Sequence, residues 1–183
     1  MATTAEKFVL VNQGFSARLQ GLNPDQLAAV TPCEGWTASD CIDHVISIYL
    51  MVATATHPTA ADLDGATPAA RFAHVAALVE EATMSEELGS TMVDGPFGPL
   101  PLKQLVSSVI LHDTLVHTWD IAVATGGDPV LDADLVAGAF AKMTPLDDGL
   151  RGAGLFGSKI EAPQGADLQT QFLCFLGRDA VNA

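Results

Sequence analysis

The segment Leu105–Ala124, with the sequence LVSSVILHDTLVHTWDIAVA, is an apolar run with the spacing of a long helix. Its middle part, His112–Asp120, adds histidine and aspartate side chains to this run. Residues four apart lie on one face of a helix, about 6 Å apart along the axis. Asp113 and His117 therefore present a carboxylate and an imidazole side by side. This spacing predicts two ligands of one metal ion, and an Asp–His hydrogen bond without a metal fits the same spacing.

A third candidate ligand lies in an earlier apolar segment, Cys41–Val52, which contains His44. Two ligands from one helix and one from another leave an ion such as Zn²⁺ with an open position, which is typical of catalytic sites. The alternative is that His44 lies on a helix flank and bonds to a backbone carbonyl. Cys41 shares the face of His44 at i−3 and could be a softer ligand. The alternative for Cys41 is a small buried residue, the commoner role of a free cysteine.

Two further residues are predicted to lie around this cluster. Asp120, three residues after His117, is placed to orient the imidazole, as carboxylates often do beside metal ligands. Trp36 lies at a loop-to-helix junction, where its ring either packs in the core or lines the mouth of a cleft. His112 points about 100° away from Asp113 around the helix, so we do not expect both to bind one ion.

The rest of the chain is mainly helical in its spacing. The principal helices are predicted over Phe8–Leu19, from Thr37 as N-cap to about Thr56, from Ala69 to about Glu87, and over Leu102–Thr125 before Gly126. Shorter elements are a proline-rich linker at Gly95–Pro101, a helix at Asp132–Met143, a short helix or apolar tail at Leu168–Leu176, and a candidate strand at Ser158–Ala162. We therefore predict an all-α four-helix bundle with short additional C-terminal elements, a fold that often builds metal sites from facing helices.

The composition narrows the class of protein. The 183 residues fit one domain, 1–183, and 49% hydrophobic with 16% charged residues is typical of a well-packed globular protein. A net charge of −14 with eight Lys and Arg argues against nucleic acid and anionic membranes as partners. The sequence has no signal-peptide pattern, no run of the ~18 apolar residues that span a membrane, and no disulfide framework among its three cysteines. We expect a cytoplasmic protein.

Three separated stretches resemble one known family. Thr31–Thr37 followed by Asp43–Val45 is similar to a segment of the type TPCPGWTVRDLLAHL. Val116–Gly126 is similar to VHTWDLARATG, and Phe175–Asp179 is similar to FLGRDP. In this order, the stretches resemble the actinobacterial metal-binding proteins of the DinB and mycothiol-dependent maleylpyruvate isomerase superfamily.

This resemblance implies a DinB-like four-helix bundle with a divalent metal, usually Zn²⁺ or Ni²⁺. In relatives one ligand lies on the helix after the Gly-Trp turn, which matches His44. The other two form a Glu/Asp/His-x-x-x-His pair on a later helix, which matches Asp113 and His117. The resemblance also implies a low-molecular-weight thiol such as mycothiol, an electrophilic substrate and a homodimer.

Three hypotheses for function follow. The first is a metal-dependent thiol S-transferase or isomerase whose ion is bound by His44, Asp113 and His117. The second is a non-catalytic metal- or ligand-binding module, favoured because no obvious general base accompanies these ligands. The third is a metal-free helical protein that dimerises through a helical face. Metal content, and its effect on thermal stability, distinguishes among them.

Overall fold

Ten α-helices and two short strands are present in the computed structural model, which describes residues 2–60, 63, 65–96 and 98–182. In chain order they are α1 (Thr4–Arg18), α2 (Pro24–Leu27), α3 (Ala38–Thr56), α4 (Pro68–Met84), α5 (Glu86–Gly89), β1 (Met92–Val93), β2 (Leu100–Pro101), α6 (Leu102–Leu105), α7 (Leu111–Thr125), α8 (Ala133–Met143), α9 (Asp147–Gly152) and α10 (Leu168–Phe175). A π-helical turn, Val106–Ile110, joins α6 to α7, and the two strands pair antiparallel.

The four long helices form a bundle. Helices α1 and α3 each pack against both α4 and α7. Aromatic rings fill the interior: the ring centroids of Phe8 and Tyr49 are 5.6 Å apart, and those of Phe15 and Phe72 are 4.6 Å apart. Burying such rings is a major source of hydrophobic stabilisation. The predicted all-α four-helix bundle is confirmed.

Local signals fix the ends of the two helices that contain the predicted ligands. The N–H of Asp40 donates to Thr37 Oγ1 at 3.2 Å, and the N–H of Thr37 donates to Asp40 Oδ2 at 2.9 Å. This reciprocal cap stabilises a helix start by about 0.5–2 kcal/mol. Helix α7 ends at Gly126, whose φ of 71° is the left-handed conformation that glycine adopts without strain. Both predicted ends are confirmed, so the positions of His44 and His117 along their helices are well defined.

The predicted fourth helix is interrupted. The hydroxyl groups of Ser107 and Ser108 both donate to the carbonyl of Gln104 within the π-helical turn. Serine hydroxyls compete with backbone N–H groups for such carbonyls, which perturbs the regular helix. The predicted third helix also ends early, at Met84, because Ser85 is extended and caps α5 through its hydroxyl.

The predicted strand at Ser158–Ala162 is wrong. This stretch is irregular, and Ile160 donates one backbone hydrogen bond, to Cys174 at 2.9 Å, without a partner strand. The predicted linker at Gly95–Pro101 is irregular only in part, because Leu100–Pro101 pairs with β1. Phe97, in the middle of that linker, lies outside the described residues.

Helix α3 is the one described helix long and apolar enough to cross a membrane, with a mean hydropathy of 1.2. Length and composition are weak evidence, because the core helix of a soluble protein has the same properties. Ile42, Val45, Tyr49 and Val52 of α3 lie in the bundle core. The fold is therefore consistent with a soluble protein.

Candidate metal centre

Three side chains from α3 and α7 meet between the two helices. His44 Nε2 lies 3.4 Å from Asp113 Oδ2, and His117 Nε2 lies 3.6 Å from Asp113 Oδ1. One potential ligand atom from each residue lies within 4.8 Å of those of the other two. Two imidazole nitrogens and a carboxylate oxygen are a donor set that suits Zn²⁺ or Ni²⁺. The structure brings the three predicted ligands together, and the metal itself stays a prediction.

The cluster is buried on one side and open on the other. The His117 side chain is 6% exposed, whereas those of His44 and Asp113 are 32% and 28% exposed. An ion bound by these three residues would therefore be accessible from the side of His44 and Asp113. This arrangement allows a small molecule to approach the ion, as catalytic metal sites require.

Trp36 covers part of the cluster. Its ring stacks on that of His117, with centroids 5.8 Å apart and planes 17° apart, and meets the His44 ring edge-on at 4.8 Å. The N–H of Thr31 donates to the carbonyl of Trp36 at 2.9 Å and so closes the turn before α3. Within this turn Gly35 has a φ of 80°, which would strain any other residue. Trp36 is half-buried and forms one wall beside the two histidines.

Asp120 determines which nitrogen of His117 faces the cluster. Asp120 Oδ2 accepts a hydrogen bond from His117 Nδ1 at 2.9 Å. Because a carboxylate only accepts, Nδ1 carries the hydrogen, and Nε2 is left to face Asp113. This is the usual arrangement of a carboxylate behind a metal-binding histidine. It places Asp120 where the spacing predicted it.

Sequence reasoning missed Arg178 as a member of this site. Arg178 Nη2 donates to Asp120 Oδ2 at 3.2 Å, Arg178 Nε donates to Asp120 Oδ1 at 3.4 Å, and Nη1 donates to the carbonyl of Leu176. The carboxylate is fully buried, and the arginine side chain is 12% exposed. Arg178 belongs to the Phe175–Asp179 stretch that carries the family resemblance. The resemblance therefore pointed to this residue but did not indicate that it contacts Asp120.

Charges within the site shift the protonation of its residues. Burial alone would raise the pKa of Asp120, but the hydrogen bond from His117 and the charge of Arg178 outweigh burial and lower that pKa. Burial alone would lower the pKa of His117, but Asp113 and Asp120 outweigh it and raise that pKa. A metal ion competes with a proton for Nε2 of His117, so a raised pKa at this residue makes metal binding dependent on pH.

Two cysteines lie at the inner side of the site. Cys41 is fully buried, with its Sγ 3.6 Å from Thr31 Oγ1, and Cys33 is half-buried. A hydrogen bond between the two thiols, together with burial, raises the pKa of Cys41, while the same bond lowers the pKa of Cys33. Cys41 is one of the candidate ligands predicted from the sequence, whereas Cys33 is not.

Cys41 belongs to a second group of potential ligands, with His117 and Asp120, whose atoms lie within 4.8 Å of one another. In this group the thiol retains its proton and Asp120 is already paired with Arg178. A cation there would have to displace both the proton and the arginine. The group of His44, Asp113 and His117 therefore fits a divalent cation better.

Residues 11–122 match the family model described as the mycothiol maleylpyruvate isomerase N-terminal domain. The chain belongs to this family. Relatives include two uncharacterized proteins from two strains of Mycobacterium tuberculosis, each 32% identical over 173 residues, which cover 90% of this chain and 91% of the relative. No solved structure matches the chain. The family predicted from the three sequence stretches is confirmed, and its matched range includes His44, Asp113 and His117 but not Arg178.

Raising the pH should destabilise the metal-free protein. The pKa of His117 is raised in the fold above its ordinary value of 6.5. Its contribution to stability is therefore fully present below about pH 6.5 and is lost as the pH rises through the folded pKa. Urea unfolding of chelator-treated protein across this interval measures the effect. We expect His117→Gln to remove this pH dependence and the exposed-site variant His74→Ala to retain it. If the free energy of unfolding changed equally with pH in His117→Gln and in the parent protein, His117 would not be the source of the pH dependence.

Proposed function

We propose that this protein is a metal-dependent enzyme that acts on a low-molecular-weight thiol of the mycothiol type, as an S-transferase or an isomerase. Its family membership indicates a mycothiol-related, DinB-like metal-binding protein. The observation that supports a metal-dependent enzyme is the half-exposed cluster of His44, Asp113 and His117 beside Trp36. An open coordination position next to an aromatic wall suits the binding of a small substrate.

Three residues of the site would bind the metal, and a fourth orients one of them. His44 and His117 would bind Zn²⁺ or Ni²⁺ through Nε2, and Asp113 would bind it through its carboxylate. Such a cation supplies positive charge that favours the thiolate form of a thiol near neutral pH. Asp120 keeps His117 in the required tautomer through the bond to Nδ1. The thiol and an electrophilic substrate would enter from the exposed side of His44 and Asp113.

We place this enzyme in the cytoplasm. All three cysteines are free thiols: Cys33, Cys41 and Cys174. Free thiols persist in reducing compartments, whereas secreted proteins commonly oxidise them. A low-molecular-weight thiol substrate also requires a compartment that keeps it reduced.

One observation favours a second candidate, a non-catalytic metal- or ligand-binding module. Among the described residues, the carboxylate of Asp120 and the guanidinium of Arg178 lie directly behind the cluster, and these two groups are buried and paired with each other. They therefore serve poorly as a general base that exchanges protons with a substrate. An enzyme of the proposed kind would rely on the cation, on the substrate's own thiol and on the half-buried thiol of Cys33, whose pKa its hydrogen bond with Cys41 lowers.

Removal of a bound metal is expected to lower the melting temperature. An ion that binds only the folded state increases the free energy of unfolding. When the free ion concentration is about 100 times the Kd, the increase is about 2.7 kcal/mol. For a chain of this size that corresponds to roughly 5–10 °C. Thermal unfolding with and without chelator measures the difference. Identical melting curves, together with no metal on elemental analysis, would leave the metal-free helical protein as the remaining hypothesis.

Turnover separates the two proposed functions. Protein purified without a histidine tag is analysed for metal and then incubated with mycothiol and a panel of electrophiles, while loss of free thiol is measured. We expect metal-dependent thiol consumption that His117→Ala abolishes and His74→Ala retains. Bound metal without turnover on any electrophile would select the binding module, and absence of metal from metal-replete preparations would refute the metal-dependent enzyme.

A further inference from the structure

Two lysines, Lys7 on α1 and Lys142 on α8, differ from the other basic residues of this acidic chain. Within the described residues, neither has a carboxylate oxygen within the 4.0 Å of an ion pair. The other six basic residues each pair with an aspartate or a glutamate: Arg18, Arg71, Lys103, Arg151, Lys159 and Arg178. The chain has 22 acidic residues, so two lysines without an acidic partner stand out. Their positive charges are available to bind an anion from solution.

Both lysines line the same pocket, which we call the α1–α8 pocket. It has a volume of about 140 Å³, and Ser107, His112 and Asp134 also line it. Lys142 Nζ donates to the carbonyl of Ser107 at 2.6 Å, so the ammonium group retains two further hydrogens for another partner. None of the three predicted metal ligands lines this pocket. It is therefore separate from the metal centre.

The amine of Lys7 lies beside Gly138 of α8. Lys7 Nζ lies 3.9 Å from the point that a Cβ atom on Gly138 would occupy. The amine of Lys7 thus extends from α1 to the surface of α8, which also contains Lys142. This geometry brings two positive charges from different helices to one small volume.

His112 contributes a hydrogen-bond acceptor to the pocket. The residue is 5% exposed, and its Nδ1 lies 3.3 Å from the carbonyl oxygen of Ser108. Because that carbonyl only accepts, Nδ1 carries the hydrogen and Nε2 of the neutral ring has a free lone pair. Nε2 has no partner among the described residues. Among the described residues, every fully buried side-chain nitrogen or oxygen has a hydrogen-bond partner. Because Nε2 has none, it is not fully buried, and it is accessible from the pocket that His112 lines.

The four ionic and polar groups together specify the type of ligand. Lys7 and Lys142 attract an anion, whereas Nε2 of His112 and the exposed carboxylate of Asp134 can each accept a hydrogen bond from it. At neutral pH inorganic phosphate retains at least one hydrogen, whereas sulfate and carboxylates have none. The π-helical turn that contains Ser107 is a type of helix defect that is frequent at functional sites.

We propose that the α1–α8 pocket binds inorganic phosphate through Lys7 and Lys142, with Nε2 of His112 and the carboxylate of Asp134 each accepting a hydrogen bond from a protonated oxygen of its dihydrogen form. The two lysines supply charge-assisted hydrogen bonds, which are the stronger kind. The two acceptors give selectivity against anions of similar size that lack a hydrogen, because these would face an unpaired lone pair and a like charge. This proposal does not depend on the proposed enzymatic function.

Calorimetric titration of the full chain with sodium phosphate, at fixed ionic strength and neutral pH, tests the proposal. We expect a Kd of about 1 mM or tighter. The double variant Lys7→Gln/Lys142→Gln should weaken binding at least about tenfold, because it removes both cationic donors. The matched control Lys103→Gln/Lys159→Gln also removes two positive charges, but both lie outside the pocket. This control should leave the Kd within about twofold. No heat of binding to the parent protein, or equal weakening in both double variants, would overturn the proposal.

Sulfate supplies the test of selectivity. We expect sulfate to bind at least about tenfold more weakly than phosphate to the parent protein. Asp134→Asn replaces the carboxylate by a side chain that can also donate, so it should tighten sulfate binding and reduce this difference. Sulfate binding as tight as phosphate binding would show that no hydrogen of the ligand is recognised, and it would refute the assignment of His112 and Asp134. Thermal unfolding of each variant verifies that it folds like the parent.

Discussion

His117→Ala is expected to remove the divalent metal from the protein. The variant loses one of three protein ligands, and it is the ligand whose orientation Asp120 fixes at 2.9 Å. Loss of an orienting partner alone typically weakens metal binding 10–100-fold, so loss of the ligand itself should weaken it by more than about 100-fold. Elemental analysis after dialysis against metal-free buffer measures the outcome. We expect about one ion per chain in the parent and less than about a tenth of that in the variant.

Two other histidines serve as controls for this prediction. His74 is exposed on α4, and His74→Ala should retain the metal. His112 is adjacent to Asp113 in sequence, but its Nδ1 bonds to the carbonyl of Ser108 and its ring lines the α1–α8 pocket. We therefore expect His112→Ala to retain the metal as well. If His112→Ala loses the metal and His117→Ala keeps it, the ligand assignment is wrong.

The parts of the site that the sequence predicted depend on local geometry. Asp113, His117 and Asp120 lie within two turns of one helix, so their relative positions follow from helical spacing alone. The start of α3 follows from the reciprocal cap of Thr37 and Asp40, which involves residues only three apart. His44 required one further step, the packing of α3 against α7, for which the bundle prediction and the family resemblance both argued.

The parts that the sequence did not predict depend on contacts between distant residues or on competition for one backbone group. Arg178 reaches Asp120 across 58 positions of sequence, and no periodic pattern links the two. The π-helical turn arises because two serine hydroxyls and the backbone compete for the carbonyl of Gln104, and helical spacing does not show which prevails. The irregular Ser158–Ala162 stretch contains one strong strand former, Ile160, and among the described residues no strand lies beside it to pair with it.

Arg178→Met is expected to destabilise the protein and to weaken metal binding. The substitution leaves the fully buried carboxylate of Asp120 without its arginine partner. Removing one partner of a buried ion pair costs about 3–5 kcal/mol, which for a chain of this size is roughly 6–20 °C in melting temperature. Because Asp120 also orients His117, the affinity for metal should fall about 10–100-fold. Thermal unfolding and metal titration measure the two effects separately.

The double variant Arg178→Met/Asp120→Asn distinguishes a positioning role from a purely structural one. It leaves no buried charge unpaired, so we expect it to recover part of the stability lost in Arg178→Met. Its metal affinity should stay low, because the asparagine no longer provides the carboxylate that orients His117. Arg71→Met is the matched control, since Arg71 pairs with the half-exposed Asp43 at 2.7 Å and such surface pairs contribute only about 0–1 kcal/mol. If stability and metal affinity recovered together in the double variant, Arg178 would act only through folding, and the ion pair would have no part in the metal centre.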